Sequence, residues 1–274
     1  MCIRDRVTEQ DVVAQYDLAT GGISFVKPER LVKYRYTGKL HHYKNSVTDL
    51  CVTPNHDLIL KHPKSGKVKK SKSEEGSWGR NYLYPRASSN QDEAPILNYW
   101  RLLIAIQADG CLRGTTPQGA ASWGTTDFSL SKPRKIARLK ALLELNKLRY
   151  TETFNESTKM TRISFNLNNA PLSVPIQCIK NFKWLDLSKL YPDEARGFLR
   201  ELMQWDGSVN NWYNTNKEAV DVIQAVAVIA GVSATISLNR TAEQSSDTIM
   251  PQGSHPKTTK DLSLIHISEP TRPY

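Results

Sequence analysis

Two aspartates, 97 residues apart, each close an apolar helical run with an Asp-Gly pair. The runs are Leu102-Leu103-Ile104-Ala105-Ile106-Gln107-Ala108-Asp109-Gly110 and Phe198-Leu199-Arg200-Glu201-Leu202-Met203-Gln204-Trp205-Asp206-Gly207. A carboxylate in the last turn of a helix faces the negative end of the helix dipole, which costs roughly 0.3–1 kcal/mol. Two such carboxylates about 4 Å apart would repel by roughly 4 kcal/mol at an effective dielectric near 20. Bound divalent cations reverse that balance. The pair therefore predicts metal between two helix ends. One carboxylate in each copy of a duplicated segment suits a pseudo-two-fold enzyme that grips two strands and cuts both.

The elements that must position these aspartates repeat with them. Ile96, Tyr99, Trp100, Leu103 and Ile106 are apolar at helical spacing, and Ala105 and Ala108 leave room for a second helix to approach. After the first Asp-Gly come Phe128-Ser129-Leu130-Ser131-Lys132, a helix carrying Ile136, Leu139, Leu142, Leu143 and Leu145, then Leu148-Arg149-Tyr150-Thr151. After the second come Tyr213-Asn214-Thr215-Asn216-Lys217, a helix carrying Val220, Ile223, Val226, Ala227 and Ile229, then Val232-Ser233-Ala234-Thr235. With one residue of slippage the apolar positions superimpose. Copy one continues into a strand, Thr161 to Leu167; in copy two no equivalent strand is evident before residue 262. The implied order is helix, two strands, helix, two strands, helix, repeated, with a curved sheet surface and both motif helices at the seam. Leu202 and Trp205 stand where the first helix has alanines, which predicts a looser or shifted helix crossing.

The ends read as something other than protein. Met1-Cys2-Ile3-Arg4-Asp5 can be encoded as ATG TGT ATA AGA GAC, and Leu262 to Ile267 as CTG TCT CTT ATA CAC ATC. Over their common length these strings are reverse complements and look like a transposase adapter from sequencing libraries, which Ser268 to Arg272 continue in frame. Residues 1–6 and 262–274 are accordingly expected to be translated adapter. About 255 residues then remain, enough for one large or two modest domains. The formal net charge is +10; removing Arg4, Arg6, Arg272, Asp5 and Glu269 takes away three positive and two negative charges and leaves +9. A basic surplus of this size suggests a polyanion partner. No apolar run approaches the roughly 20 residues that span a bilayer. Outside the adapter, Cys51, Cys111 and Cys178 are scattered without metal-ligand spacing, so neither a disulfide framework nor a zinc site is expected, and a reducing cytoplasm fits.

Residues 7–61 read as short strands (Val12 to Ala14, Ile23 to Val26, Leu40 to Tyr43, Leu50 to Val52, Leu58 to Leu60) separated by turn signals at Gly21-Gly22, Tyr36-Thr37-Gly38 and Pro54-Asn55. Residues 62–95 read as a polar connector with the basic run Lys67-Val68-Lys69-Lys70-Ser71-Lys72, a solvated face or a DNA contact.

In its two Asp-Gly motifs the chain resembles the LAGLIDADG homing endonucleases, in their two-motif, single-chain form. Gln107 departs from the pattern by replacing the motif's first acidic residue, while the final Asp is kept in both copies. The resemblance implies that Asp109 and Asp206 are catalytic and bind Mg²⁺. It implies an assisting base from the segment Cys178 to Trp184, with Lys180 first and Lys183 second. DNA reading would fall to Arg113, Trp123, Arg162, Asn166, Asn210, Trp212 and Asn214 on the strand segments, since Arg and Asn can pair with purine edges in the major groove. The partner would be double-stranded DNA, and the chain a monomer holding a pseudo-dimer.

Val52-Thr53-Pro54-Asn55-His56-Asp57-Leu58-Ile59-Leu60 resembles the Thr-x-x-His block of Hint domains, the self-splicing modules of inteins, and Asp11 to Asp17 resembles the stretch before it. That resemblance implies that Thr53 and His56 polarise and protonate the peptide bond undergoing acyl shift, from a tight Pro-Asn turn that aims both at one carbonyl. Inteins insert their endonuclease within the Hint domain, so the two resemblances support each other. The expected fold is α+β: a partial all-β Hint-like domain (7–61), the connector (62–95), a first LAGLIDADG repeat (96–192) and a truncated second (193–261), each repeat αββαββα. The N-terminal nucleophile and the terminal His-Asn would lie outside Val7 to Asp261, so this fragment, from a phage or microbial metagenome, is expected not to splice. Two alternatives stay open: a freestanding homing endonuclease with an unrelated β module, and a non-cutting LAGLIDADG-fold nucleic-acid binder such as an RNA maturase or a regulator.

Overall fold

Among the described residues between Val7 and Glu75, alternating apolar and polar residues become strands, each paired with a near neighbour in sequence. The computed structural model describes residues 7–44, 49–62, 64–75, 96–112, 125–167, 179–208, 210–240 and 262–268, and residues 1–90 and 91–274 form two units. The first holds three antiparallel pairs: β1 (Val13–Tyr16) with β2 (Ile23–Val26), β3 (His41–Lys44) with β4 (Asp49–Val52), and β5 (Asp57–Lys61) with β6 (Val68–Lys72). All five expected strands are present. The sixth, β6, is the basic run that had been placed in a polar connector. Ser71 turns inward opposite Leu58, and the Lys72 ammonium meets the Asp57 carboxylate 2.7 Å away across the ladder. Among the described residues of this unit the buried apolar side chains are Val52, Leu58 and Leu60. Two-stranded ladders with so little core are marginal by themselves.

The second unit carries the duplication. It runs α1 (Asn98–Asp109), β7 (Cys111–Leu112), β8 (Thr125–Leu130), α2 (Pro133–Leu145), β9 (Tyr150–Asn155), β10 (Met160–Asn166), then α3 (Pro192–Trp205), β11 (Gly207–Ser208), β12 (Asn211–Asn214), α4 (Lys217–Ile229), β13 (Ser233–Arg240) and β14 (Leu262–Ser268). The first sheet has the order β7-β8-β10-β9 and the second β11-β12-β14-β13, which correspond position for position. Two expectations change here. A strand stands in the second repeat where none was expected: Leu262–Ser268 pairs with both β12 and β13. Its alternating Leu-Ser-Leu-Ile-His-Ile-Ser composition suits a half-buried strand, and Ile265 is fully buried. The third helix of each repeat is not formed among the described residues, where Leu187–Lys189 makes only a 3₁₀ turn.

Local chemistry explains the boundaries. Pro133 opens α2, where a missing N–H costs nothing, and the Asn216 side chain accepts from the backbone N–H of Glu218 and Ala219 to start α4. Each sheet is amphipathic by the period of two. In the first, Phe128, Leu130, Ile163 and Phe165 are buried, and the opposite face carries Thr125, Asp127 and Ser129 on β8, Arg162, Ser164 and Asn166 on β10, and Thr151 and Thr153 on β9.

Helices α1 and α3 pack together, and Leu102 to Ile106 on α1 are fully buried. Trp205 fills the core beside Phe128, their ring centroids 6.4 Å apart. Beneath it Glu201 accepts from Arg101 Nε (2.9 Å), Arg138 Nε and Nη2 (2.8 and 2.6 Å) and Trp205 Nε1 (3.0 Å), tying α1, α2 and α3 to one buried carboxylate. Burial pushes the Glu201 carboxyl up, and the hydrogen bonds from Arg138, Arg101 and Trp205 outweigh it, so it ends below its ordinary value.

Candidate active site

The motif glycines place the aspartates by close approach, not by a left-handed turn. Gly110 has φ −75°, and a Cβ there would lie 2.8 Å from both the Ile106 Cα and its carbonyl oxygen. At Gly207 a Cβ would lie 2.7 Å from the Met203 Cα and carbonyl oxygen. In both copies the chain folds back onto the helix it has just left. Asp109 is thereby the last residue of α1 and Asp206 the residue that caps α3.

One ammonium joins them. Lys135, in the first turn of α2, places Nζ 2.5 Å from Asp109 Oδ2 and 3.3 Å from Asp206 Oδ1, so the two carboxylate oxygens lie less than 6 Å apart. At that separation their repulsion is about 3 kcal/mol at an effective dielectric near 20. Burial pushes the Asp206 carboxyl above its ordinary value, the Asp109 charge adds to that, and Lys135 and Lys180 pull back without cancelling it. The donor set of two carboxylates, one from each motif, suits a hard oxygen-seeking cation of the Mg²⁺ class, which commonly takes one or two protein carboxylates and completes its shell with water and phosphate. Among the described residues no cluster of three or more His, Cys, Asp or Glu side chains forms an all-protein metal cage.

The two expected basic residues both hold other partners. Lys180 caps α1: Nζ donates to the carbonyls of Ile106 (2.8 Å), Gln107 (2.9 Å) and Gly110 (2.6 Å), so all three ammonium protons are used. Burial pushes this ammonium below its ordinary value, against the pull of Cys111, Asp206 and Asp109. Lys183 forms an exposed ion pair with Glu218 (2.9 Å). Gln107, at the motif's departure from the acidic pattern, is buried and donates to the Lys180 carbonyl at 3.5 Å.

The residues expected to read DNA divide. Arg113 and Trp123 lie outside the described residues, as does Cys178. Arg162 and Asn166 share the open face of the first sheet, with Arg162 paired to Asp127 at 2.8 Å. Asn210 is exposed in the turn before β12, and Asn214 accepts from the Asn216 N–H at the start of α4. Trp212 is a correction: it is fully buried, its ring 6.3 Å from Phe182, and offers no edge to a ligand. Asn211 and Tyr213, on the other face of β12, hold the outward positions, and Asn211 Oδ1 meets His266 Nδ1 at 2.8 Å. In the first unit, Pro54-Asn55 does form the turn between β4 and β5. Thr53 Oγ1 donates to Asn55 Oδ1 at 2.8 Å, and His56 is exposed at the end of that turn.

Lys135 was the residue missed. Its signal was present: Lys132, Arg134, Lys135 and Arg138 gather cations at the start of a helix, where the dipole disfavours them.

No family model matches the chain. Among curated proteins, the ribonucleoside-diphosphate reductase subunit beta of Aquifex aeolicus (strain VF5) is 26% identical over 268 residues, covering 85% of this chain and 38% of that protein. The ATP-dependent Clp protease proteolytic subunit of Chlamydomonas moewusii is 44% identical over 54 residues, 20% of this chain and 5% of that protein. The chain thus spans well under two thirds of either relative. Similar solved structures include the homing endonuclease I-DmoI in complex with DNA and Ca (TM-score 0.40, 17% identity, 62% of this chain and 82% of that one). They also include the homing endonuclease I-WcaI bound to its DNA recognition sequence (TM-score 0.32, 9% identity, 63% and 77%).

Proposed function

We propose that the chain is a metal-dependent, site-specific DNA endonuclease of the two-motif LAGLIDADG kind, carried within a protein-splicing element. One observation carries the reading: two repeats of the same order each end their first helix in an aspartate, and one ammonium touches both carboxylates. Asp109 and Asp206 would hold Mg²⁺, which when bound supplies an activated water and stabilises charge developing on a scissile phosphate. The chain's own residues do the positioning. Lys180 ties down the carbonyls at the end of α1, and Glu201 fixes α3 to α1 and α2 just before Asp206. The open sheet faces, with Arg162, Asn166, Thr151 and Thr153 in one repeat and Asn211 and Tyr213 in the other, offer hydrogen bonds to double-stranded DNA. A net charge of +10 favours the polyanion.

The splicing context rests on the Thr53-to-His56 block and on the curated relatives. A reductase subunit and a protease subunit are unrelated activities, yet parts of both match this chain. A segment shared by such different proteins is what an inserted element produces, and this favours insertion over a freestanding enzyme. The adapter origin of residues 262–274 belongs to the same proposal: a strand-forming composition completes a sheet whatever its codons once served.

The test is selection of cleaved sites from a random double-stranded DNA library in Mg²⁺ buffer. Double-strand cleavage at one site family, lost in Asp109→Asn and in Asp206→Asn, is expected. Tight binding without any cleavage would refute the nuclease and leave a nucleic-acid-binding protein.

A further inference from the structure

Lys135 occupies the place a metal would want. Its side chain is nine-tenths buried, its ammonium contacts a carboxylate from each motif, and the Trp205 ring centroid lies 5.9 Å away on a third side. A second ammonium, Lys180, also acts on Asp206, and its three protons are bound to backbone carbonyls. Without Lys135 the two aspartates would face each other with no cation between them. With it they can pack at the helix seam in a protein that holds no metal.

We infer that Lys135 is a built-in counter-cation of the centre: it holds Asp109 and Asp206 together until a divalent cation displaces its ammonium from between them. The inference rests on reading these aspartates as the metal ligands. An ammonium and a divalent ion cannot share the space between two oxygens less than 6 Å apart without strong like-charge repulsion. Binding is therefore an exchange of cations. A lysine suits this because its four-carbon stem is flexible and its point charge can swing away, which the planar fork of an arginine does less readily. The affinity of the centre for divalent ions is set low by the ammonium that must leave. Ions at trace concentration would not fill it, and occupancy would come with millimolar ion or with the phosphates of bound DNA.

The test measures Mn²⁺ binding to the full chain without DNA, by electron paramagnetic resonance of the free ion, in wild type, Lys135→Met and Lys135→Arg. Lys135→Met should bind about tenfold tighter or better, and Lys135→Arg should bind no tighter than wild type, since the charge is kept and leaves less readily. Equal affinity in wild type and Lys135→Met, including no binding by either, overturns the inference. Should Lys135→Met fail to fold, wild type alone decides. A protected lysine NH₃⁺ resonance, absent in Lys135→Arg, should vanish as Mg²⁺ is added, and its persistence at saturating Mg²⁺ overturns the inference. DNA cleavage is scored separately. Tighter binding by Lys135→Met in a protein that never cuts would remove the nuclease and leave Lys135 its role. Unchanged affinity in a protein that cuts would do the reverse.

Discussion

Replacing Glu201 by Gln should cost this protein much of its thermal stability, and the structure says by how much. The carboxylate is 3% exposed and accepts four hydrogen bonds, three of them from Arg101 and Arg138. Glutamine keeps one acceptor oxygen and turns an NH₂ toward guanidinium N–H groups, so donors face donors. Breaking a buried ion pair by removing one partner costs about 3–5 kcal/mol. The Arg101 and Arg138 side chains are 26% and 31% exposed, so water recovers part of that and the low end applies, about 3 kcal/mol. For a unit of this size each kcal/mol moves the midpoint by roughly 2–4 °C, which gives a fall of about 6–12 °C. Circular dichroism melts at pH 7 measure it. The pH dependence has a fixed sign. Glu201 has its folded value depressed, so its stabilisation is present above the unfolded value of 4.5 and is lost as pH falls through the folded one. The gap between wild type and Glu201→Gln should therefore close in acid. A variant melting within about 2 °C of wild type at pH 7 would show that Glu201 does not hold the three helices, and the reasoning would fail.

Asp206→Asn should abolish DNA cleavage yet leave the midpoint at pH 7 equal to wild type or higher. Its folded value is raised, so ionising it costs stability as pH climbs from the ordinary 3.8 through the folded value, and Asn removes that cost; a clear drop in midpoint would contradict this. Lys180→Met strips three charge-assisted hydrogen bonds from the end of α1 and should lower stability by about 2–3 kcal/mol, while Lys183→Ala, which loses only an exposed ion pair, should stay within about 0.5 kcal/mol. Urea titration separates the two, and equal effects would remove the capping role. Gly110→Ala forces a Cβ to 2.8 Å from helix backbone and should cost about 1–3 kcal/mol by the same titration; a neutral result would mean the turn relaxes freely.

What could be read in the sequence was whatever is decided locally. The helices ending in Asp109 and Asp206 follow from apolar spacing, and the hairpins of the first unit from alternation between turn signals. What stayed hidden depends on partners far along the chain. Lys135 meets Asp109 across 26 residues and Asp206 across 71, and nothing in the first turn of α2 names those partners. Trp212 was placed on the wrong face because a strand of four residues, Asn-Trp-Tyr-Asn, fits either parity until the register with β14 fixes it. β6 was missed because Lys-rich sequence reads as solvent-facing, although lysine stems lie readily along a strand and Asp57 waits opposite Lys72. β14 was missed because a codon-level reading removed Leu262–Ser268 before its alternation was weighed.

The centre can be located by its local conflicts alone. Asp109 and Asp206 lie at the negative ends of α1 and α3, and Lys135 lies at the positive end of α2. Each placement is disfavoured by roughly 0.3–1 kcal/mol, and no helix would choose it in isolation. The three conflicts cancel only because they are assembled: the cation that its own helix repels neutralises the anions that theirs repel. Such an arrangement is poor value as a stabilising device, since neutral caps at all three ends would remove the conflicts outright. Its occurrence at one point, where two repeats meet, is what the proposed exchange of cations requires, and local rules broken together at such a point mark function more sharply than any one of the residues does.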